Sequence, residues 1–286
     1  MNGALNRRAT DQKPRRHRKG MYLLPSAFTM GNLGAGFYAI LQAVQGNVAE
    51  PQHFNFAAIA IGFAVLFDGL DGTIARLTNT SSDFGKELDS LADVVTFGVA
   101  PAALAYFWGF HQLPFDLNPD LRHNLLQFGA LICFLFLAAG ASRLARFNIT
   151  LNPQPKNPGR PGRKYFVGMP IPAGAGCIAA TVHFALGSPI TVWWLAPVWM
   201  TFVFMLGFLE VSTWRFWSAK SIDFRSRHPF RLIIVIGLLI ALIWVWSRYV
   251  LIALALLYLF SGIIARLAFE VRRGGQPNAP AESPHA

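Results

Sequence analysis

The chain has 286 residues, of which 53% are hydrophobic and 14% charged, and its mean hydropathy is +0.39; this is membrane-protein composition and excludes an ordinary soluble domain. A formal net charge of +11 would raise nucleic acid as a partner for a soluble protein, but the basic residues gather between apolar runs, as in loops beside an anionic leaflet, so no nucleic-acid role is expected. Cys133 and Cys177 both fall inside apolar runs, which argues against a disulfide framework or a cysteine metal site.

Residues 1–20 carry seven Lys and Arg residues and no apolar run, and read as a basic, disordered cytoplasmic arm that is retained. The first span is expected at Leu24 to Val44, with Gly31, Gly34 and Gly36 offering a small-residue face for helix contact and Thr29 and Asn32 available as polar groups. Phe54 to Leu77 and Phe84 to Phe110 form the second and third spans. A polar turn over 111–122 precedes the fourth, Leu125 to Ala145, which ends in ASRLARFN. Residues 149–168, rich in Pro, Gly and charge, read as a loop. The fifth span opens at GMPIPAGAG, where Pro170 and Pro172 suit a helix start, and reaches about Leu186. His183 within it is expected to pack inside the bundle. The sixth, Thr191 to Leu209, runs into Glu210, for which the sequence supplies no evident partner, and then into Trp214 and Trp217, which suit an interfacial belt. Two further spans, Leu232 to Trp246 and Tyr249 to Leu267, are joined by a tight link, and the polar tail from Arg272 reads as disordered. The expectation is an all-α integral membrane protein of about eight transmembrane helices, with one catalytic domain over 21–271 between a basic arm (1–20) and a tail (272–286).

The stretch Asp68 to Asp93 stands apart. It lies between two spans, yet holds six of the fourteen acids: Asp68, Asp71, Asp83, Glu87, Asp89 and Asp93. Acids at membrane depth are costly and point first to a functional site. In helices, Asp68 and Asp71 are i, i+3 and Asp89 and Asp93 are i, i+4, so each pair projects from one face. A short connection would aim both pairs at one volume. Four carboxylates so close need cations between them, and an all-oxygen set suits Mg²⁺ or Mn²⁺ rather than zinc. Gly72, Ala75 and Gly85 leave room for a ligand, and Arg76 offers a fork suited to phosphate. Arg143 and Arg146, i, i+3 at the same membrane side, are placed to hold an anionic group, or else to anchor the helix end in the headgroups. From the residues alone, a polar loop with incidental acids and a divalent-cation transporter also remain open.

The pattern Asp68-x-x-Asp71-Gly72-x-x-Ala75-Arg76, eight residues, then Gly85-x-x-x-Asp89-x-x-x-Asp93 resembles the signature of the CDP-alcohol phosphatidyltransferases, with every defining position filled. LDSLADVVTFGVAPA, RLARFN and GMPIPAG are further similar to the bacterial phosphatidylserine synthase branch. The resemblance implies a helical catalytic core, CDP-diacylglycerol and L-serine as substrates, phosphatidylserine and CMP as products, and a homodimer in a lipid membrane. It implies two divalent ions on Asp68, Asp71, Asp89 and Asp93, with Asp93 also acting as general base. Gly72, Ala75, Arg76 and Gly85 would border the CDP-lipid, and Arg143 and Arg146 the acceptor or a phosphate. Glycerol 3-phosphate is the alternative acceptor.

Eight spans put both termini on one side, and that side then holds 23 of the 25 basic residues, leaving only Arg122 and Arg248 opposite. Positive-inside logic places the acidic cluster on the cytoplasmic face of the inner membrane. A cysteine introduced at Lys156 is therefore expected to react with a membrane-impermeant reagent only from the cytoplasm, and one at Pro119 only from outside. Reversed labelling would overturn the orientation.

Overall fold

The computed structural model describes residues 23–78, 83–149, 165–217 and 229–274. These form α1 (Leu23–Gln45), α2 (Gln52–Thr78), α3 (Asp83–Asp93), a π-helical turn (Val94–Val99), α4 (Ala100–Gly109), α5 (Pro119–Ile149), β1 (Tyr165–Val167), α6 (Ile171–Phe184), α7 (Leu195–Val211), β2 (Arg215–Trp217) and α8 (Pro229–Gly274). The protein is an all-α membrane protein. By length and composition, Phe84–Gly109, Pro119–Ile149 and Ile234–Phe269 are each able to cross a bilayer, and α6 and α7 are shorter apolar helices. Ile234, Val235, Leu238, Ile240 and Trp244 along α8 are exposed, as side chains facing lipid would be.

Local chemistry sets the helix ends. Asn47 Oδ1 accepts the N–H groups of Ala49 and Glu50, each at 2.9 Å, closing the α1–α2 turn just before Pro51. Asn118 Oδ1 accepts from Asp120 N at 3.0 Å and Leu121 N at 3.2 Å; with Pro119 in the first helical position, this starts α5 six residues before the expected Leu125. At 31 residues, α5 is about 46 Å long and outreaches an apolar core of roughly 30 Å, so its ends reach the polar zones. Pro170 precedes α6 and Pro172 lies in its first turn, as the sequence leads one to expect. The last two spans form one helical segment, α8, broken at Trp246 (φ −128°, ψ 44°).

Two features were not foreseen. β1 pairs antiparallel with β2, Phe166 opposite Phe216, inside segments read as loop and interfacial belt. The π-helical turn follows Asp93 directly; such turns are rare and concentrate at functional sites. His183 is not simply packed in the bundle. It is half-buried, with Nδ1 2.7 Å from Asn55 Oδ1 and Nε2 2.9 Å from Ser247 Oγ, so it ties α2 and α6 to α8 beside the break. Cys133 and Cys177 are buried free thiols, as expected.

The core is built from aromatic plugs and small-residue contacts. Phe54, Phe97, Phe110 and Phe136 are fully buried, and Trp199 on α7 donates to the Ala105 carbonyl of α4 at 3.0 Å. α1 packs along α2, α5 along α7, and α6 lies between α2 and α8. The expected glycine face on α1 is realised only at Gly36 among its three members. A Cβ there would lie 2.6 Å from Thr96 Oγ1 and 2.8 Å from Thr96 Cα in the π-helical turn, whereas Gly31 and Gly34 face open space. Gly36→Ala must therefore displace backbone and is expected to destabilise by about 1–3 kcal/mol, the range for overpacking. Gly31→Ala should leave thermal unfolding in detergent unchanged or slightly raised, since Ala is the better helix former. Equal melting temperatures for the two variants would contradict this packing.

Candidate active site

The C-terminal part of α2 and the whole of α3 bring three acids together. Asp68 from α2 and Asp89 and Asp93 from α3 each offer a carboxylate oxygen, and these oxygens all lie within 4.8 Å of one another. All three residues are half-buried, and Asp93 Oδ1 is shielded from solvent. The i, i+4 spacing does what the sequence implied, setting Asp89 and Asp93 on one face of α3. Glu87 is exposed and outside the group. Asp71, Gly72, Ala75 and Arg76 belong to α2, and Gly85 to the first turn of α3; the side chains of Asp71, Ala75, Arg76 and Asp83 lie outside the described residues.

The donor set fits a hard divalent cation. It is all oxygen, and opposed ligands of a Mg²⁺ ion lie about 4 Å apart, which a group spanning at most 4.8 Å can match with small side-chain shifts. Imidazole or thiolate, which would favour zinc, is absent from the group.

Neighbouring helices carry polar groups up to this cluster. Thr96, three residues beyond Asp93, donates to the Asn32 carbonyl of α1 at 3.1 Å, which sets the buried Asn32 alongside the π-helical turn; Thr29, three residues earlier on α1, is buried as well. The Asn32 side-chain amide has no hydrogen-bond partner among the described residues. At the end of α5, Asn148 Nδ2 donates to Ser90 Oγ at 3.0 Å, tying that helix to the residue next to Asp89. Nothing in the sequence singled out this tie, although Asn148 closes the RLARFN motif.

The structure divides the Arg143 and Arg146 pair. Arg146 is half-buried, and its Nη1 donates to the Val211 carbonyl at 3.2 Å, a favourable place for a cation at the C-terminus of α7. Arg143 is buried, 9% exposed, with Nε lacking a hydrogen-bond partner, and it is electrostatically coupled to Glu210 of α7. Gly168, at φ +72°, lets β1 turn tightly into α6: its N–H donates to the Trp214 carbonyl at 2.8 Å, and a Cβ there would lie 2.5 Å from the Glu210 carbonyl oxygen. The β1–α6 junction is thereby clamped to the end of α7 that carries Glu210.

Residues 22–196 match the family model of the CDP-alcohol phosphatidyltransferases, and the chain belongs to that family of phosphatidyltransferases. Among its curated relatives, the CDP-diacylglycerol–serine O-phosphatidyltransferase of Helicobacter pylori strain 26695 is 33% identical over 258 residues, covering 88% of this chain and 94% of the relative. The enzyme of the same name from Saccharomyces cerevisiae is 42% identical over 145 residues, 50% of this chain and 48% of its own. An archaetidylserine synthase from Methanothermobacter thermautotrophicus is 36% identical over 159 residues, 55% of this chain and 56% of its own.

Ion binding at the cluster should be visible without turnover. A ligand at a hundredfold excess over its Kd stabilises the folded state by about 2.7 kcal/mol, so Mg²⁺ or Mn²⁺ is expected to raise the melting temperature of the purified protein. Asp89→Asn should fold normally and lose that rise. An undiminished shift in the variant would place the ion elsewhere.

Proposed function

We propose that this enzyme transfers the phosphatidyl group of CDP-diacylglycerol to L-serine, giving phosphatidylserine and CMP, at the cytoplasmic face of the inner membrane, with residues 21–271 as the catalytic unit. The observation that carries it is the junction of the Asp68, Asp89 and Asp93 oxygens with the RLARFN end of α5, held through Asn148 and Ser90. The names of the relatives support serine, rather than glycerol 3-phosphate, as the acceptor. A cation transporter would place its acids on broken helices near mid-bilayer, often in repeated halves; here Asp68 lies in the C-terminal half of α2, and Asp89 and Asp93 lie in the first half of the continuous stretch Phe84–Gly109.

In this reading Asp68, Asp71, Asp89 and Asp93 hold Mg²⁺ or Mn²⁺, two ions by family resemblance. When bound, such ions neutralise pyrophosphate charge and stabilise attacking and leaving oxygens. The protein's own groups do the rest. Asp93 accepts the proton of the serine hydroxyl, whose oxygen forms a bond to the phosphatidyl phosphorus as the bond from that phosphorus to the CMP oxygen breaks. A base so positioned contributes roughly 10² to 10⁴ in rate. Gly72, Ala75 and Gly85 leave room for the cytidine and pyrophosphate, Arg76 pairs with a phosphate, and Arg143 holds the serine carboxylate. Arg146, bonded to the end of α7, keeps a cation beside it for the same anion or for a lipid phosphate.

Serine carries a carboxylate that glycerol and choline lack, and an Arg fork grips it through two parallel bonds that Lys cannot reproduce. Arg143→Lys is therefore expected to raise the KM for serine by about tenfold or more while barely moving that for CDP-diacylglycerol. A loss confined to CDP-diacylglycerol would reassign Arg143 to the lipid phosphate, and failure of the wild-type enzyme to release CMP in response to serine would reject the acceptor.

A further inference from the structure

Glu210 is the buried charge that the mechanism leaves unused. It is fully buried, and neither carboxylate oxygen has a hydrogen-bond partner among the described residues. A carboxylate so placed costs several kcal/mol unless a nearby cation compensates it. The cation that offsets part of this cost is Arg143, which attracts the carboxylate although the two make no direct ion pair.

Two glycines shape the seat of this carboxylate. A Cβ on Gly174 of α6 would collide with Glu210 Oε1, and one on Gly140 of α5 would lie 3.3 Å from Oε2, with Phe136 and Ile171 filling the sides. Gly140 and Arg143 are i, i+3 on α5, so the helix face that receives the carboxylate is the face that carries the guanidinium one turn on. The carboxylate is thus fixed by shape, and its charge reaches Arg143 through a low-dielectric interior. The family match ends at residue 196, before Glu210.

We propose that Glu210 is a positioning residue for Arg143. Wedged between Gly140 and Gly174, it holds the guanidinium at the crossing of α5, α6 and α7, and thereby sets the affinity for the acceptor's carboxylate. This rests on Arg143 being the acceptor anchor. Arg146 does not substitute for it, because its guanidinium is engaged with the Val211 carbonyl.

The test is a kinetic set on the full-length enzyme in detergent micelles: Arg143→Lys, Glu210→Gln, Gly174→Ala, and the Arg143→Lys/Glu210→Gln double variant. Gly174→Ala keeps the Glu210 charge but displaces its carboxylate, and it decides the matter if Glu210→Gln does not purify as a folded protein. Glu210→Gln and Gly174→Ala are each expected to raise the serine KM on the order of 10- to 100-fold, the size of effect seen when a residue supporting a ligand is lost. The KM for CDP-diacylglycerol should stay near wild type. The double variant should be little worse than Arg143→Lys alone, as expected for residues acting as one unit. If Arg143→Lys raises the serine KM while Gly174→Ala and Glu210→Gln lower only the melting temperature, the pair is structural and the proposal is overturned. An unchanged serine KM in Arg143→Lys would instead reject the anchor itself.

Discussion

Mutual repulsion of carboxylates is the constraint on which this molecule is organised. Two ionised groups 4.8 Å apart repel by about 3 kcal/mol at an effective dielectric near 20, and three from Asp68, Asp89 and Asp93 make three such pairs. No helix pair would adopt that arrangement for its own stability. Contacts from outside help to fix α2 and α3 around the acids: α1 closes on the π-helical turn through Gly36, and α5 is tied to Ser90 through Asn148. A cluster so crowded by charge is suited to hold a divalent cation.

The second buried charge, Glu210, obeys the same physics with the opposite outcome. There a single carboxylate meets a single guanidinium, and the helices around them are thinned to glycine where the oxygens lie. Among the described residues the bundle therefore sets two charged features against its apolar interior. One gathers negative charge and the other holds a positive group; in the proposed reaction they serve the phosphate end and the acceptor. RLARFN joins them, since Arg143 faces Glu210 and Asn148, five residues on, reaches the helix that carries Asp89 and Asp93.

Much of this was legible in the sequence because membrane helices advertise themselves by apolar length and because acids there are conspicuous. The pairing of Asp89 with Asp93 follows from helical period alone. Other features depend on tertiary contact. The early start of α5 was written in Asn118-Pro119-Asp120, a cap followed by proline, but lay hidden in a stretch read only for polarity. The π-helical turn has no composition of its own, and β1 and β2 are three residues each, too short for alternation to register. Gly31 and Gly34 look like Gly36 in sequence; only the approach of Thr96 distinguishes them. Glu210 was visible as an acid out of place, yet its neighbour lies on another helix 67 positions earlier, at Arg143.

The central claim is most directly examined by incubating the purified wild-type protein with CDP-diacylglycerol and Mg²⁺ or Mn²⁺ in detergent, supplying separately L-serine, glycerol 3-phosphate, an inositol phosphate or choline, and following CMP release. A serine-accepting phosphatidyltransferase releases CMP with L-serine well above the other alcohols, forms phosphatidylserine in equal amount, and stops when the ion is chelated. CMP release driven by glycerol 3-phosphate and not by serine, or undiminished release in the presence of chelator, would contradict it.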